Sequence, residues 1–230
     1  MSARIHFVGT IHSDHFGSER LERALKYESP DIITVECSNA IIDYLETEGF
    51  SQVLHKIDSL DFSQADAEFL KQRFGRLAFE AHSSRLHALQ YGVSIHYVDS
   101  PSIVEDTKRE ISKRCNALRE DFEYNISPFV LRKDIIKSEA LYSSYQSLFD
   151  EEFPHSRLEE QDKVKNYPYK LVNRDDFMAQ KIEKIVEPDV KIVHVGGVVH
   201  CLKDVEGRTL FSRLQQYNPT RATLKWYENR

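Results

Sequence analysis

Residues 5–12 read IHFVGTIH, and residues 191–200 read KIVHVGGVVH. Each stretch begins with an apolar run typical of a buried strand, and a glycine follows with a histidine three positions after it. In an open α/β sheet, ligands bind where the strands reach their carboxyl ends. The two GxxH elements, which end at His12 and His200, therefore predict one site that folding assembles from both ends of the chain.

Five segments have strand character, and they are separated by segments with helical periodicity. The strand candidates are residues 4–8, 31–36, 93–99, 190–195 and, more weakly, 222–226. Alternation of strands with helices is typical of a sheet with right-handed crossover connections. We therefore expect an α/β fold with a mixed, mostly parallel central sheet of four to six strands flanked by helices.

The helical segments between the predicted strands are consistent with one domain. Residues 18–27, 39–58 and 63–91 have helical patterns, and residues 101–169 interrupt the alternation with helical spacing and no convincing strand. Compact domains seldom carry so long a sheet-free stretch without a use for it. We expect a single domain over residues 1–230, with a helical cap at about 101–169 that covers the strand ends.

Composition argues against several classes of partner. The formal net charge is -6 and no Lys/Arg stripe is present, which argues against nucleic acid. The sequence shows no signal-peptide pattern and no apolar stretch near the ~18 residues that a membrane span needs. The three cysteines lack metal-finger spacing and are typical of reduced thiols. These features predict a cytoplasmic protein that acts on a peptide or small molecule and leave its oligomeric state open.

Four of the predicted strands lead into polar residues, namely His12, Glu36, Asp99 and His200. Two imidazoles with one or two carboxylates are a common ligand set for a divalent catalytic metal. Each residue also has a structural alternative. A single strand-end histidine is more often a hydrogen-bonded structural residue, Glu36 could cap the following helix, and Asp99 fits a turn.

Three other polar residues in or near the predicted strands are considered as possible ligands. Asp14 and His15 lie within a turn of His12 and are additional candidate ligands, although they also fit a solvated helix start. His194 has apolar neighbours along its strand, which favours a satisfied core histidine over a ligand.

The motifs, taken in order, resemble those of the TraB/Tiki superfamily. The matching elements are GTIH at 9–12, the strand ending in Glu36, the helix with Glu80, NRDDFMA at 173–179 and HVGGVVH at 194–200. This superfamily includes the pheromone-shutdown TraB proteins and the Tiki metalloproteases, with erythromycin esterases and haem-uptake ChaN proteins as more distant relatives. The chain departs from the family pattern at Val199, where relatives often have glycine.

The resemblance implies a role for five residues. His12 and His200 would be metal-binding or catalytic, Glu36 and Glu80 would be the site carboxylates, and Arg174 would be a site arginine. The pattern around Arg174 predicts a helix that begins there. In that position its guanidinium would bind a substrate carboxylate or a developing oxyanion through two hydrogen bonds.

These expectations combine into a metal-dependent hydrolase of the peptidase or esterase type. A divalent metal (Mn, Co, Zn or Fe) would be held by His12 and His200, and Glu36 or Glu80 would be the general base for the attacking water. One alternative is a non-catalytic protein that binds a small ligand or haem in the same cleft. Another is a metal-free, esterase-like hydrolase that uses histidine as its base.

Overall fold

A central sheet organises the chain in the computed structural model, which describes residues 4–75, 78–101, 103–118, 128–152 and 167–230. In the described residues the sheet has five strands in the order β3-β2-β4-β1-β5, and every pairing is parallel. The strands are β1 (Arg4–Thr10), β2 (Ile32–Val35), β3 (Ser94–Tyr97), β4 (Lys191–Gly197) and β5 (Thr220–Thr223). The α/β prediction is confirmed, and the sheet is parallel rather than mixed.

The two GxxH elements leave the sheet side by side. β1 and β4 pair over their full lengths, from Arg4 opposite Lys191 to Thr10 opposite Gly197. Gly9 therefore stands beside Gly196, and both chains turn away at the same edge. β2 flanks β4 on its other side, with Val35 opposite Val195, so the residue after β2 also arrives at this edge.

Helices and short helical turns connect the strands. The α-helices are α1 (Gly17–Glu28), α2 (Asn39–Tyr44), α3 (Phe50–Asp58), α4 (Gln64–Gly75), α5 (Phe79–Tyr91), α6 (Ile103–Asn116), α7 (Pro128–Leu148), α8 (Tyr167–Glu183) and α9 (Leu210–Arg213). A π-helical turn (Leu45–Gly49) joins α2 to α3, and 3-10 turns span Val198–Cys201, Gln215–Tyr217 and Leu224–Asn229. Among the described helices, none combines the length and apolar character that crossing a membrane requires.

Each face of the sheet carries its own hydrophobic core. Val8 and Val195 point to the face covered by α1 and α5. Phe7, the neighbour of Val8 in β1, and Ile192 of β4 point to the opposite face and pack with Met178 of α8. Full burial of such a side chain contributes about 1.5–3 kcal/mol, so the alternation fixes which way each strand faces. The polar residues that follow the strands are thereby held in register.

Two predicted elements differ from the structure. The helix expected over residues 63–91 is interrupted, and Ala78 adopts a left-handed conformation (φ 59) just before α5 begins. The weak strand expected at 222–226 lies instead at Thr220–Thr223, where Thr220 pairs with His6. The chain then continues as a 3-10 helix that packs on α1. In this helix the Tyr227 hydroxyl donates to Glu28 at 2.8 Å.

The predicted cap region is mostly helical where the structure describes it, although residues 149–152 are not in a helix. α6 packs on α2 and α3, whereas α7 packs on β5 and on the C-terminal 3-10 turn. α8 begins at Tyr167 and contacts α9. Residues 102, 119–127 and 153–166 of the predicted cap lie outside the described residues. α7 is the cap helix that reaches the turn carrying His12, through Tyr142.

Candidate functional site

Glu36 is the centre of the site. It follows β2, and its side chain is 3% exposed. Oε1 accepts hydrogen bonds from Arg174 Nη2 at 2.7 Å and faces His200 Nε2 at 3.0 Å. Oε2 accepts from the backbone N–H of Gly197 at 2.5 Å. Glu36 does not cap α2, because the Ser38 hydroxyl accepts from the helix in that role.

His200 lies between two carboxylates. Its Nδ1 bonds Asp175 of α8, and its Nε2 faces Glu36, while its side chain is only 2% exposed. Burial alone would lower the pKa of His200, but the charges of Asp175 and Glu36 outweigh it and raise the pKa to about 10. His200 is therefore held as an imidazolium with both ring nitrogens engaged.

The same charges act on the two acids. Burial works to raise the pKa of Glu36, but His200 and Arg174 outweigh it and hold the pKa well below its ordinary value. Burial prevails at Asp175, whose pKa is raised. Of these two acids, Glu36 is therefore the one whose ionised form the cluster favours more strongly.

His12 and Glu80 form a second pair at the same edge. Glu80 lies in the first turn of α5, and it accepts hydrogen bonds from Thr10 Oγ1 at 2.9 Å and His12 Nδ1 at 2.7 Å. The charge of Glu80 raises the pKa of His12, an effect that water partly screens because the His12 side chain is 64% exposed. Glu80 thus fixes the ring through Nδ1 and leaves Nε2 on the accessible side.

Two glycines bring these groups close together. A Cβ at position 197 would stand 3.2 Å from His12 Nε2 and 3.3 Å from Glu36 Oε2. A Cβ at position 196 would stand 2.7 Å from His194 Nε2 and 2.9 Å from Glu36 Oε2, closer than carbon can approach. The glycine pair that ends β4 therefore leaves room for the carboxylate and for both imidazoles.

Arg174 binds carboxylates of the protein itself. Its Nε donates to Asp99 Oδ1 at 3.1 Å and its Nη2 to Asp99 Oδ2 at 2.5 Å, in addition to its bond to Glu36. The helix expected to begin at Arg174 starts earlier, at Tyr167, so that prediction was wrong. Arg174 lies within α8, where it holds the ends of β2 and β3 together.

Asp99 also takes part in the turn that its sequence context indicated. Its Oδ1 accepts from the backbone N–H of Ser100 at 2.7 Å, and its side chain is 2% exposed. The turn and the bond to Arg174 coexist, so Asp99 belongs to the buried cluster while it shapes the chain after β3.

The additional candidates near His12 have separate partners. Asp14 accepts from Arg20 Nη1 at 2.9 and 3.0 Å and from the Tyr142 hydroxyl at 3.0 Å. The His15 ring packs edge-on against Phe16, with the ring centroids 4.9 Å apart. Among the described contacts, neither residue joins Glu36 or His200. The structure thus brings together His12, Glu36, Glu80, Asp99, Arg174 and His200, and it places Asp14 and His15 outside this set.

Sequence reasoning missed Asp175, and it interpreted His194 as a satisfied core histidine. Asp175 bonds His200, and its signal was its position directly after Arg174 in the NRDD segment. His194 is fully buried and bonds Thr34 at 3.0 Å through Nδ1, while its Nε2 has no hydrogen-bond partner among the described residues. Burial lowers the pKa of His194 to about 3, so this ring is neutral.

The arrangement can be compared with what a divalent metal requires. Both His12 and His200 have a carboxylate on Nδ1, as metal-ligating histidines commonly do. Glu36, however, has both oxygens engaged and a guanidinium 2.7 Å away, and that positive charge opposes a dication. In the described part of the chain, no group of three or more His, Cys, Asp or Glu side chains is placed to hold a metal ion. The side chains as arranged fit a hydrogen-bonded acid–base site, not a metal shell.

Comparison with known proteins adds no family to this picture. No protein-family model, curated protein or solved structure gives a significant match to the chain. The resemblance of its motifs to the TraB/Tiki superfamily stays a prediction.

Proposed function

We propose that the protein is a hydrolase that cleaves an ester or peptide bond at the carboxyl ends of β1, β2 and β4. The observation that carries the proposal is the approach of two groups to Gly197: a Cβ built there would stand 3.2 Å from His12 Nε2 and 3.3 Å from Glu36 Oε2. The carboxylate and the accessible imidazole therefore lie on either side of this glycine, and a water molecule held between them would have both as hydrogen-bond partners. Those two groups are a base and an acid for hydrolysis.

In the proposed reaction the water attacks the carbonyl carbon, and Glu36 Oε2 accepts its proton on the lone pair that the Gly197 N–H does not use. The lowered pKa of Glu36 keeps it ionised and able to accept this proton, and it also makes the carboxylate a weak base. The bond from the carbonyl carbon to the leaving group then breaks, and the leaving group takes a proton from His12 Nε2. Proton transfer from Glu36 to His12, through a bridging water, restores both groups. Glu80 supports the donor role because its charge stabilises the imidazolium form of His12.

The other members of the cluster position these two groups. Arg174 and the Gly197 N–H fix both oxygens of Glu36, and His200 adds a third contact. Preorganised groups of this kind need little rearrangement as charge develops in the transition state. Arg174 is therefore a positioning residue in this proposal.

The test is hydrolysis of a panel of p-nitrophenyl esters and fluorogenic peptides by protein freed of metal with a chelator. Glu36→Gln and His12→Asn should each lower turnover by about 100-fold or more. His15→Asn is the matched control, because His15 is a neighbouring histidine with separate contacts, and it should retain activity. Turnover that survives both Glu36→Gln and His12→Asn would refute the proposal.

A metal-dependent hydrolase is the second candidate, and the carboxylates behind His12 and His200 favour it. His200 Nε2 and Glu36 would have to give up their present contact in order to hold an ion with His12, and the ion would then supply Lewis-acid activation of water and carbonyl. Elemental analysis of protein purified without chelators separates the candidates. One equivalent of Mn, Co, Zn or Fe, with activity that a chelator abolishes, would establish the metal form. A Soret band with haemin and no turnover would instead support the binding-protein alternative.

A further inference from the structure

An apolar cavity lies away from the acid–base cluster, between the helices that follow β2 and those that precede β3. Its volume is about 350 Å³, within the ~300–1,000 Å³ range of small-molecule sites. Its walls include Leu45, Phe50, Val53, Phe74, Ala81 and Tyr97. Neither Glu36 nor His200 lines it, so the proposed reaction gives this cavity no role.

Two irregularities of the backbone accompany the cavity. The helix from Asn39 to Asp58 changes to a π-helical turn over Leu45–Gly49, and turns of this kind are frequent at functional sites. On the opposite wall, Ala78 has a left-handed conformation before α5 begins. Both irregular segments contribute residues to the lining of the cavity. Protein interiors are normally close-packed, so an open space between the two helical walls is unusual.

The rim carries charged side chains of both signs. Among the described residues, two cations, Lys71 and Arg85, line the cavity together with one acid, Glu46, and the imidazole of His82 lies beside them. Arg85 pairs with Glu46, and Lys71 pairs with Asp58 at 2.8 Å. Asp58 is not among the residues that line the cavity. In each pair the acid is at least half exposed, and exposed ion pairs contribute little stability. Both cations can therefore turn to an anionic ligand at small cost.

Arg85 has space on two sides. The Arg85–Glu46 pair also lines a neighbouring cavity of about 510 Å³, which shares Ile42 and Tyr97 with the first. The guanidinium thus stands at the boundary between an enclosed apolar space and a more polar one. This position suits a ligand with an apolar body and a carboxylate end, since Arg binds carboxylates through two parallel hydrogen bonds.

We propose that this cavity binds a medium-chain carboxylate, with the hydrocarbon chain against the apolar wall and the carboxylate on Arg85 and Lys71. The proposal goes beyond the hydrolase function and does not depend on it. It follows from the cavity size, the apolar lining and the two rim cations, whose acidic partners are exposed.

Isothermal titration calorimetry with decanoate, below its micelle concentration, tests the proposal on the full chain. Decanoate should bind saturably at one site, and decyltrimethylammonium, with the same chain and the opposite charge, should bind at least about tenfold more weakly. Equal affinity for the two probes, or uptake that does not saturate, would overturn the proposal.

Two surface variants place the binding in this cavity. Leu54→Trp enlarges a lining side chain that is 41% exposed and should weaken decanoate binding by about tenfold. Leu86→Trp is the matched control, because Leu86 is 54% exposed on α5 and lines neither cavity, and it should leave affinity unchanged. Arg85→Gln should reduce the preference for decanoate over decanol. Affinity that is the same in Leu54→Trp and Leu86→Trp would exclude this cavity.

Hydrogen exchange supplies a readout that does not depend on any variant. Saturation with decanoate should slow exchange in α3 and α5, which form the two walls. Slower exchange confined to the turn around His12 would place the ligand at the strand ends and would contradict the proposal.

Discussion

Glu36 and His200 meet across the edge of the sheet, with Oε1 of Glu36 3.0 Å from Nε2 of His200 and both side chains at most 3% exposed. The contact exists because β2 and β4 are neighbours in the sheet, and the residues that follow them lie at the same edge. A buried carboxylate beside a buried imidazole is costly unless further partners neutralise and hydrogen-bond the pair. Arg174 and Asp175 are those partners, so the pair and its supports form one unit.

Glu36→Gln should abolish hydrolysis and also destabilise the protein. The amide cannot accept a proton from water, which predicts a loss of turnover of about 100-fold or more. Removing the charge leaves the buried Arg174 and His200 with fewer acidic partners, and we expect unfolding to become easier by about 2 kcal/mol. Urea denaturation and ester hydrolysis measure the two effects.

The matched control is Glu48→Gln, which removes the same charge at an exposed position of the π-helical turn. It should leave both measurements close to those of the unaltered protein. Normal turnover in Glu36→Gln would remove Glu36 from the reaction and leave it a structural acid.

The two glycines that end β4 should respond differently to alanine. In Gly197→Ala the new methyl group occupies the point between His12 and Glu36 at 3.2–3.3 Å, which the neighbours can accommodate through small shifts. Activity should fall by about 100-fold while the unfolding midpoint changes little, since the methyl group crowds the space in which a water would bridge His12 and Glu36.

Gly196→Ala is the contrasting variant. Its methyl group would stand 2.7 Å from Nε2 of the fully buried His194 ring and 2.9 Å from Glu36 Oε2, closer than carbon can approach either atom. Overpacking of this kind costs about 1–3 kcal/mol. Thermal melts of the two variants should therefore differ by several degrees, and an equal loss of stability in both would contradict this account of the strand end.

The sequence was sufficient to predict the sheet and the ends of its main strands. The apolar run before each GxxH element predicts β1 and β4, and the histidine that ends each element predicts a site residue, His12 or His200. Partner choice was harder to predict, because Asp175 and Arg174 are adjacent in the chain yet bind different groups. Arg174 binds Glu36 and Asp99 only because α8 starts at Tyr167 and turns that face toward the sheet. Periodicity in the chain does not specify such long-range pairings.

Asp14 shows the same limit from the opposite direction. Its proximity to His12 in the sequence suggested a shared site, but the chain turns between the two residues. Asp14 instead forms a salt bridge with the buried Arg20. The same guanidinium also binds Glu139 and Glu228, which come from distant segments of the chain. A buried arginine requires acidic partners, and no local pattern identifies which acids will supply them.

Asp204 should make stability depend on acid pH. Burial would raise its pKa, but the N–H groups of Thr209 and Arg208 donate to the carboxylate and lower the pKa below its ordinary value. A lowered pKa in the folded state favours the ionised form. Its stabilisation is therefore complete above the unfolded-state pKa of about 4 and is lost as pH falls through the folded-state value.

Asp204→Asn tests this linkage. We expect the variant to be less stable by about 1 kcal/mol at pH 7, and this difference should shrink as the pH falls from about 5 to 3. Urea denaturation at each pH gives the free energies of unfolding. Asp189→Asn, which changes an exposed aspartate, is the control and should show no such convergence. A difference that stays constant across this range would show that the charge of Asp204 does not stabilise the fold.

Tyr142 connects the helical cap to the turn that carries His12. It is fully buried in α7, and its hydroxyl accepts from the backbone N–H of Ile11 at 3.0 Å and donates to Asp14 at 3.0 Å. Tyr142→Phe would leave the Ile11 N–H without this partner, which costs about 1–3 kcal/mol when the group is buried. Ile11 directly precedes His12, so the lost bond should loosen the turn that positions the imidazole.

We expect Tyr142→Phe to lower turnover by roughly tenfold, because small displacements of a catalytic group have large effects on rate. Hydrogen exchange should become faster over residues 11–16 and stay unchanged in β4, which separates a loosened turn from general unfolding. Tyr27→Phe, at a tyrosine that is 53% exposed, is the control. If turnover falls while exchange at residues 11–16 is unaltered, α7 influences the reaction by a route other than the His12 turn. If neither changes, the cap helix packs on the sheet without supporting the site.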